Sequence, residues 1–447
     1  MYSWLESYLS DRKQRVVVGG SSSSSLPIHG GVPQGSILGP LLFLVYINDL
    51  PSVLQLDCHI YADDTTLLHR VEDPVRAVNF INNQLTILSQ WAEQWRITFN
   101  TSKTHYIYIT NKRNKPQLQP IYLQGSVISE VESHCNLGVT LCNNLSWKPH
   151  IEQITSRANK RLNMLARCKD KLPRLALENL YLTMIRPILE YGDVLYDNAP
   201  ISTVKPIESL QRRAAIICTG AYKHTETQTL LRELGWQSLN KRRKNRKLSI
   251  FYKLVHGDSP EYLTSLIPDK PNLSYTLRRT SIRPPPTRLT STTNSFIPST
   301  IRSWNALPAT VRNLPSHASF KRMLNKDKIR RNPYHLLCSG KCGTWLTRLR
   351  LGLSPLNHHR FTYNLIKDPH CPHCPRTLET TFHFFFECPS YSDARATLLS
   401  VLSNTGLDTN DHSKLNNNIL FGNYDQALYC DVLKTIYQYM RSTNRFC

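Results

Sequence analysis

The sequence predicts a chain that mixes strands and helices. Three observations carry that reading: short apolar runs broken at Gly, Ser and Asp turns within residues 1–145, amphipathic helical patterns from 146 onward, and a compact Cys/His cluster near the C-terminus.

In chain order, residues 12–18, "RKQRVVV", and 26–29 read as strands. They flank "GGSSSSS", whose composition needs no role beyond a flexible connection. A Gly- and Pro-rich turn then opens an apolar helix over 36–47, which stops at Asn48-Asp49-Leu50-Pro51. In "CHIYADDTTLLHR", Ile60 to Ala62 leads into a bend and Thr65 to Leu68 leads out of it, with Asp63 and Asp64 at the bend. Adjacent ionised carboxylates repel, and either solvent or a divalent metal relieves them; on local sequence alone an ordinary solvated turn is the better account of the pair, with a Mg²⁺ site as the alternative. Val78, Ile81, Leu85, Leu88, Trp91 and Trp95 recur at steps of three and four within 74–100, "PVRAVNFINNQLTILSQWAEQWRITFN", which makes that stretch a helix with one face in the core.

The helix at 150–171 has Ile151, Ile154, Ala158, Leu162 and Leu165 on one stripe. Arg157, Lys160, Arg161, Arg167, Lys169 and Lys171 crowd the rest of its surface against two acids. That surface suits either solvent or phosphate. Helices continue to residue 256 and include "KRRKNRK" at 241–247, in which six of seven residues are cationic. The block reads as a nuclear address, a nucleic-acid patch or a plain exposed face. Pro, Ser and Thr dominate 257–300, a linker composition, and helix resumes from "SWNALP".

"GVPQGSILGPLLFLVYINDLP" with "YADD" close behind it resembles motifs B and C of the reverse transcriptases of non-long-terminal-repeat (LINE-type) retrotransposons. "FNTSKTHYIYIT" resembles motif D of that family, and "HCNLGVTLCNNLSWKPHI" its primer grip and thumb entry. The resemblance implies an α+β fold made of a partial polymerase palm sheet with packed helices (1–145), a helical thumb and connection (146–256), the linker (257–300), and a basic helical and zinc-knuckle domain (301–447). It further implies RNA-directed DNA polymerase ancestry, with catalytic Asp63 and Asp64 holding Mg²⁺, Gln34 and Gly35 near the templating base pair, and Lys103 near the incoming triphosphate. Lys103 also reads simply as a turn lysine. Arg157, Lys160 and Arg161 would track the phosphates of an RNA template, an RNA–DNA hybrid or a DNA duplex.

Polymerases of this kind use a third carboxylate, from motif A, which precedes motif B. The only acids before motif B here are Glu6 and Asp11, in a stretch that resembles the helix and strand after motif A, so the expectation is a chain truncated before motif B and inactive alone. The alternative is a non-catalytic nucleic-acid-binding protein that uses the basic thumb and the zinc domain. Neither reading gains from other chemistries, since no phosphate-binding loop, dinucleotide fingerprint or nucleophile elbow is present.

The zinc reading stands on its own residues. Cys371, Cys374, His383 and Cys388 form C-x₂-C-x₈-H-x₄-C, three thiolates and an imidazole for a closed tetrahedral Zn²⁺ site, and the stretch also resembles the zinc-knuckle-like motif of the same family. His373, between the first two cysteines, is expected to point away. A second site from Cys338, Cys342, His358 and His359 is not expected, because "WLTRLRLGLSPLNHHRF" reads better as a basic amphipathic helix.

Composition agrees with a polyanionic partner. Lys and Arg outnumber Asp and Glu by 55 to 32, giving a net charge of +23. No apolar run reaches the roughly 18 residues of a membrane span, and the expected location is intracellular, with the nucleus suggested by charge and resemblance. Twelve cysteines in 447 residues are too dilute for a disulfide scaffold.

Overall fold

The computed structural model describes residues 2–33, 35–110, 112–268, 282–326, 341–404, 409–413, 415–416 and 426–446. They divide into two compact units, Met1–Leu145 and Ser146–Cys447, and mix helices with several small sheets.

The first unit opens with α1 (Tyr2–Leu9) and four two-residue strands, β1 (Lys13–Gln14), β2 (Val17–Val18), β3 (Ser21–Ser22) and β4 (Leu26–Pro27). β1 pairs with β4, and β2 pairs with β3. The Gly-Ser stretch is therefore more than a connection. Gly19 (φ +55°) and Gly20 (φ +86°) supply the two positive φ angles of a tight hairpin turn, and Ser21–Ser22 is its return strand.

α2 (Leu38–Ile47) starts two residues later than expected, because Ser36 Oγ accepts the Gly39 N–H at 3.0 Å from just outside the helix. α3 (Leu50–Val53) comes at once after it, so Asn48-Asp49 separates two helices. β5 (Asp57–Tyr61) and β6 (Asp64–Leu68) form an antiparallel hairpin in which Tyr61 faces Asp64.

α4 (Pro74–Gln94) is nucleated by Asp73, whose Oδ1 accepts from the N–H groups of Val75 and Arg76, with Pro74 at the first helical position. It buries Val78, Leu85, Leu88, Trp91 and Ala92 in one core with Ile121, Leu123 and Ile128. Asn82 registers it against β8 (Ile121–Leu123), donating to the Pro120 carbonyl and accepting from the Tyr122 N–H. β7 (His105–Tyr106), β8 and β9 (Ser126–Glu130) make a three-stranded sheet in the order β7-β9-β8, and β10 (Ser133–Asn136) pairs with β11 (Val139–Cys142).

In the second unit, α5 (Lys148–Arg167) buries the expected stripe of Ile151, Ile154, Ala158, Leu162 and Leu165, and adds His150. The next helical run is α6 (Arg174–Leu180), a π-helical turn at Tyr181–Ile185, and α7 (Arg186–Glu190). α8 (Ile201–Thr219) packs along α5 and ends at Gly220 in the left-handed region. α9 (Thr227–Leu234) and α10 (Leu239–Val255) complete this core.

α10 corrects the reading of "KRRKNRK". Arg243 and Lys247 are buried on Asp197 at 3.0 and 2.6 Å, while Arg242 and Arg246 pair with Glu190 and, for Arg246, also with Asp193. Four of the six cations thus close an internal ion-pair network. Burial raises the Asp193 carboxyl above the ordinary range, with Arg246 opposing. Burial also acts to raise Asp197, but Lys247 and Arg243 hold it below the ordinary carboxylate range.

The Pro/Ser/Thr-rich stretch is not extended throughout. α11 (Glu261–Thr264) and α12 (Thr290–Asn294) lie within it and α13 (Phe296–Asn305) begins there, so helix starts before "SWNALP". α13 packs with α10 and α15 (His317–Leu324) around Phe251, Tyr252, Trp304 and Phe320, and the short α14 (Ala309–Arg312) lies between α13 and α15 in sequence. Pro and Ser favour extended backbone only where no apolar partner rewards folding, and Trp304 supplies one here.

"WLTRLRLGLSPLNHHRF" is also not one helix. α16 (Lys341–Arg350) and α17 (Asn357–Thr362) are separated at Gly352, whose φ is +65°. Two arginines of α16 turn inward: Arg348 Nε donates to the Gly220 carbonyl, and Arg350 pairs with Glu233 at 3.5 Å. α18 (Ser392–Ser403) and α19 (Gln426–Ser442) finish the chain around an aromatic core. Among the described residues no helix is long and apolar enough to cross a membrane.

Candidate metal centre and paired carboxylates

A short antiparallel bridge between His370 and Leu378 closes the loop that bears the first two thiols. Within it the Cys371 N–H donates to Thr377 O at 2.8 Å, and the Thr377 N–H donates to Cys374 O at 3.1 Å, so both sulfurs sit on one tight turn. His383 opens a π-helical turn, His383–Glu387, and the Cys388 N–H closes it on the His383 carbonyl at 2.9 Å. That wider turn brings residues five apart to one place. Phe384 and Phe385, fully buried, lock the turn against Tyr439, whose hydroxyl donates to the Phe384 carbonyl at 2.6 Å. Arg395 donates to the carbonyls of Phe385 and Cys388.

The four predicted ligands converge. Their donor atoms all lie within 4.8 Å of one another, and they are the sole such group of His, Cys, Asp and Glu among the described residues. Cys388 Sγ is 3.8 Å from both Cys371 Sγ and Cys374 Sγ. Zinc–sulfur bonds of about 2.3 Å at tetrahedral angles require a sulfur–sulfur distance of about 3.8 Å. His383 Nε2 is buried with no hydrogen-bond partner, the condition of an atom reserved for a metal. Its other ring nitrogen, Nδ1, is 3.2 Å from Glu387 Oε2, a carboxylate placed to fix the ring.

The residues therefore fit Zn²⁺. Without a metal, burial pushes the Cys388 thiol up to about 12, and burial raises Cys374 as well, so these two thiols stay protonated until a cation replaces their protons. His373 points away, edge-on to the Tyr391 ring and exposed. Of the declined second site, Cys338 lies outside the described residues. His359 is held by Ser354 Oγ at 2.8 Å, a structural histidine.

The carboxylate pair has a different setting. Ala62 (φ +53°) and Asp63 form the two-residue turn of the β5–β6 hairpin, and Asp64 is the first residue of β6. Both carboxylates are exposed, and among the described residues neither takes part in an ion pair or a side-chain hydrogen bond. No third carboxylate or histidine gathers with them among the described residues. Two exposed groups fall short of the donor set that two Mg²⁺ ions demand.

Gly35 has φ +81°, which explains the glycine, and Gln34 lies outside the described residues. Lys103 is exposed on a turn capped by Asn100 and pairs with no acidic group among the described residues. On α5, Arg157 and Lys160 are both exposed, and neither has an acidic partner among the described residues; Arg161 donates to the Met184 carbonyl at 2.7 Å.

Sequence reading missed the partner of His383 and a second clamp under the centre. Glu379, buried, takes both arms of Arg445 at 2.6 and 2.7 Å and accepts the Asn357 N–H. Glu387 was findable, since it lies one helical turn beyond the candidate ligand. Arg445, distant in sequence, carried no signal.

Residues 1–141 match the family described as reverse transcriptase (RNA-dependent DNA polymerase). The chain is 30% identical over 271 residues to the "RNA-directed DNA polymerase from mobile element jockey" of Drosophila melanogaster, covering 58% of this chain and 29% of that protein. It is 32% identical over 245 residues to the "Probable RNA-directed DNA polymerase from transposon BS" of the same species, covering 52% of this chain and 27% of that one. With the "Probable RNA-directed DNA polymerase from transposon X-element", also of D. melanogaster, it shares 28% identity over 295 residues, 64% of this chain and 30% of the relative. The matched stretch thus spans less than a third of these relatives. The chain is reverse-transcriptase-like in its first unit and related to the RNA-directed DNA polymerases of mobile elements such as jockey.

Proposed function

We propose that this chain carries the palm from motif B onward, the thumb and the zinc-knuckle-like domain of a non-long-terminal-repeat retrotransposon RNA-directed DNA polymerase. The observation that carries the reading is Asp63-Asp64 on a strand–turn–strand hairpin inside the segment that matches the reverse transcriptase family. In this reading Gln34, Gly35 and Lys103 belong to the template and nucleotide side of the same site. Mg²⁺ would supply charge neutralisation to a complete site. This chain's own residues supply two carboxylates at a tight bend and a cationic helix surface for phosphate.

By itself the 447-residue chain binds nucleic acid through phosphate without extending a primer, because no third carboxylate stands beside Asp63 and Asp64 among the described residues. Its net charge of +23, together with Arg157 and Lys160, which meet no acid among the described residues, supports the binding half of that statement. Incorporation of labelled nucleotide on a primed RNA template, run beside a duplex-retention assay, tests both halves. The expected result is duplex retention with background incorporation; incorporation abolished by Asp63→Asn contradicts the inactive reading and establishes a working site.

A further inference from the structure

The cations that the sequence makes conspicuous on α5 do not face the groove that the structure builds beside it. A groove of about 780 Å³ runs between α5 and α8, with Glu152, Ser156 and Asn159 on one wall and Lys205, Ser209 and Arg213 on the other. Helical spacing puts Glu152, Ser156, Asn159 and Asn163 on one flank of α5 and Arg157 and Arg161 on the other. Arg161 marks that division by reaching the Met184 carbonyl, away from the groove.

Arg213 is the organising residue. Its Nη1 donates to Asn159 Oδ1 at 2.7 Å and its Nη2 to Asn163 Oδ1 at 2.8 Å. A guanidinium has five donors and no acceptor, so both amides must turn their oxygens toward it and their NH₂ groups away. The exposed side of this clamp is an array of donors held in place by one another. Lys205, Ser209 and Arg213 recur at four-residue steps on α8, which puts the two cations about 12 Å apart along the helix axis. Ser156 adds a hydroxyl. Glu152 is the one carboxylate lining the groove among the described residues, and it lies near Lys148 at 3.9 Å.

The geometry points to the sugar-phosphate backbone of one nucleic-acid strand as the occupant of the α5/α8 groove. Arg213 and Lys205 take phosphates along the strand, and the outward NH₂ groups of Asn159 and Asn163 meet backbone oxygens beside them. Mixed cationic and neutral donors set in a row position a backbone without reading bases, whereas a single small anion would use only one end of such a row. The assignment rests on the nucleic-acid reading proposed for the chain and adds a site to it, on the opposite flank of α5 from Arg157 and Arg161.

The test is fluorescence anisotropy of a short labelled RNA–DNA duplex with the full, zinc-replete chain at low salt. Asn159→Asp combined with Asn163→Asp keeps acceptors on Arg213 and so preserves the clamp and the thermal midpoint, but it replaces two outward donors with carboxylates. The expected result is a Kd about tenfold weaker. Arg213→Gln should flatten the log-log salt dependence by about one unit. Neutralising Arg157, Lys160 and Arg161 together should flatten it further, by about two to three units, as an independent contribution of roughly one unit per contact. If the wild-type chain binds the duplex but the double variant binds equally well and Arg213→Gln leaves the slope unchanged, the groove is only an interhelical clamp and the assignment is overturned. If the wild-type chain does not bind at all, the nucleic-acid reading itself falls, and the groove assignment falls with it.

Discussion

Asp63 and Asp64 stand exposed at the tip of a two-stranded hairpin, while Cys371, Cys374, His383 and Cys388 meet beside an aromatic core. Both sites consist of residues that seek a cation, yet their surroundings differ. At the hairpin, water solvates each charge and no side chain among the described residues fixes either carboxylate. At the Cys/His centre, a tight turn, a π-helical turn and buried phenylalanines fix all four donors at zinc-binding separations. A closed donor set needs its cation to be stable; an open pair needs further groups before it can use one.

The sharpest way to break that contrast is to remove one sulfur. Cys388→Ser leaves three ligands on a core whose packing depends on the turn that Cys388 closes, and structural zinc sites contribute about 10 kcal/mol or more to folding. The expected outcome is loss of zinc and of protection from proteolysis across the C-terminal residues around the centre, with unit Met1–Leu145 unchanged. Limited proteolysis read by mass spectrometry checks it.

A smaller effect comes from packing remote from any cation. Leu162 is fully buried on α5. Leu162→Ala should destabilise the second unit by about 3 kcal/mol, with zinc still bound, as measured by urea denaturation. Equal loss of zinc in this variant would mean that the centre is not an independent source of stability.

The smallest expected effect is pH-dependent. Burial lowers the His359 pKa to about 4, with His358 adding to the shift and Glu379 opposing it. An unfolded histidine titrates near 6.5, so the unfolded chain binds a proton that the folded chain refuses. Stability is therefore complete above about pH 6.5 and falls as the pH drops toward 4, by at most about 3 kcal/mol. Because zinc ligands also titrate, the readout is the difference between wild type and His359→Gln at saturating zinc; only the wild type should show this increment.

Local pattern made much of this legible. The core stripe of α5, the helix at 74–94, the aspartate hairpin and the convergence of Cys371, Cys374, His383 and Cys388 each arise from spacing within a short stretch. Features built from distant residues were hidden. "KRRKNRK" looks like an exposed basic run because nothing nearby reveals Glu190, Asp193 and Asp197, the acids that pair it internally. The Arg213 clamp on Asn159 and Asn163 was invisible for the same reason, with about fifty residues between its partners. Composition also hid the helix at Phe296–Asn305, where Phe296, Ile301 and Trp304 give the Ser/Thr-rich stretch a reason to coil.

Native mass spectrometry of the full chain, purified without chelator, tests the contrast most directly. One zinc per chain is predicted, retained when Asp63 and Asp64 are both changed to Asn and lost in Cys388→Ser. A chain without zinc, or one whose zinc departs with the aspartates, would contradict the account.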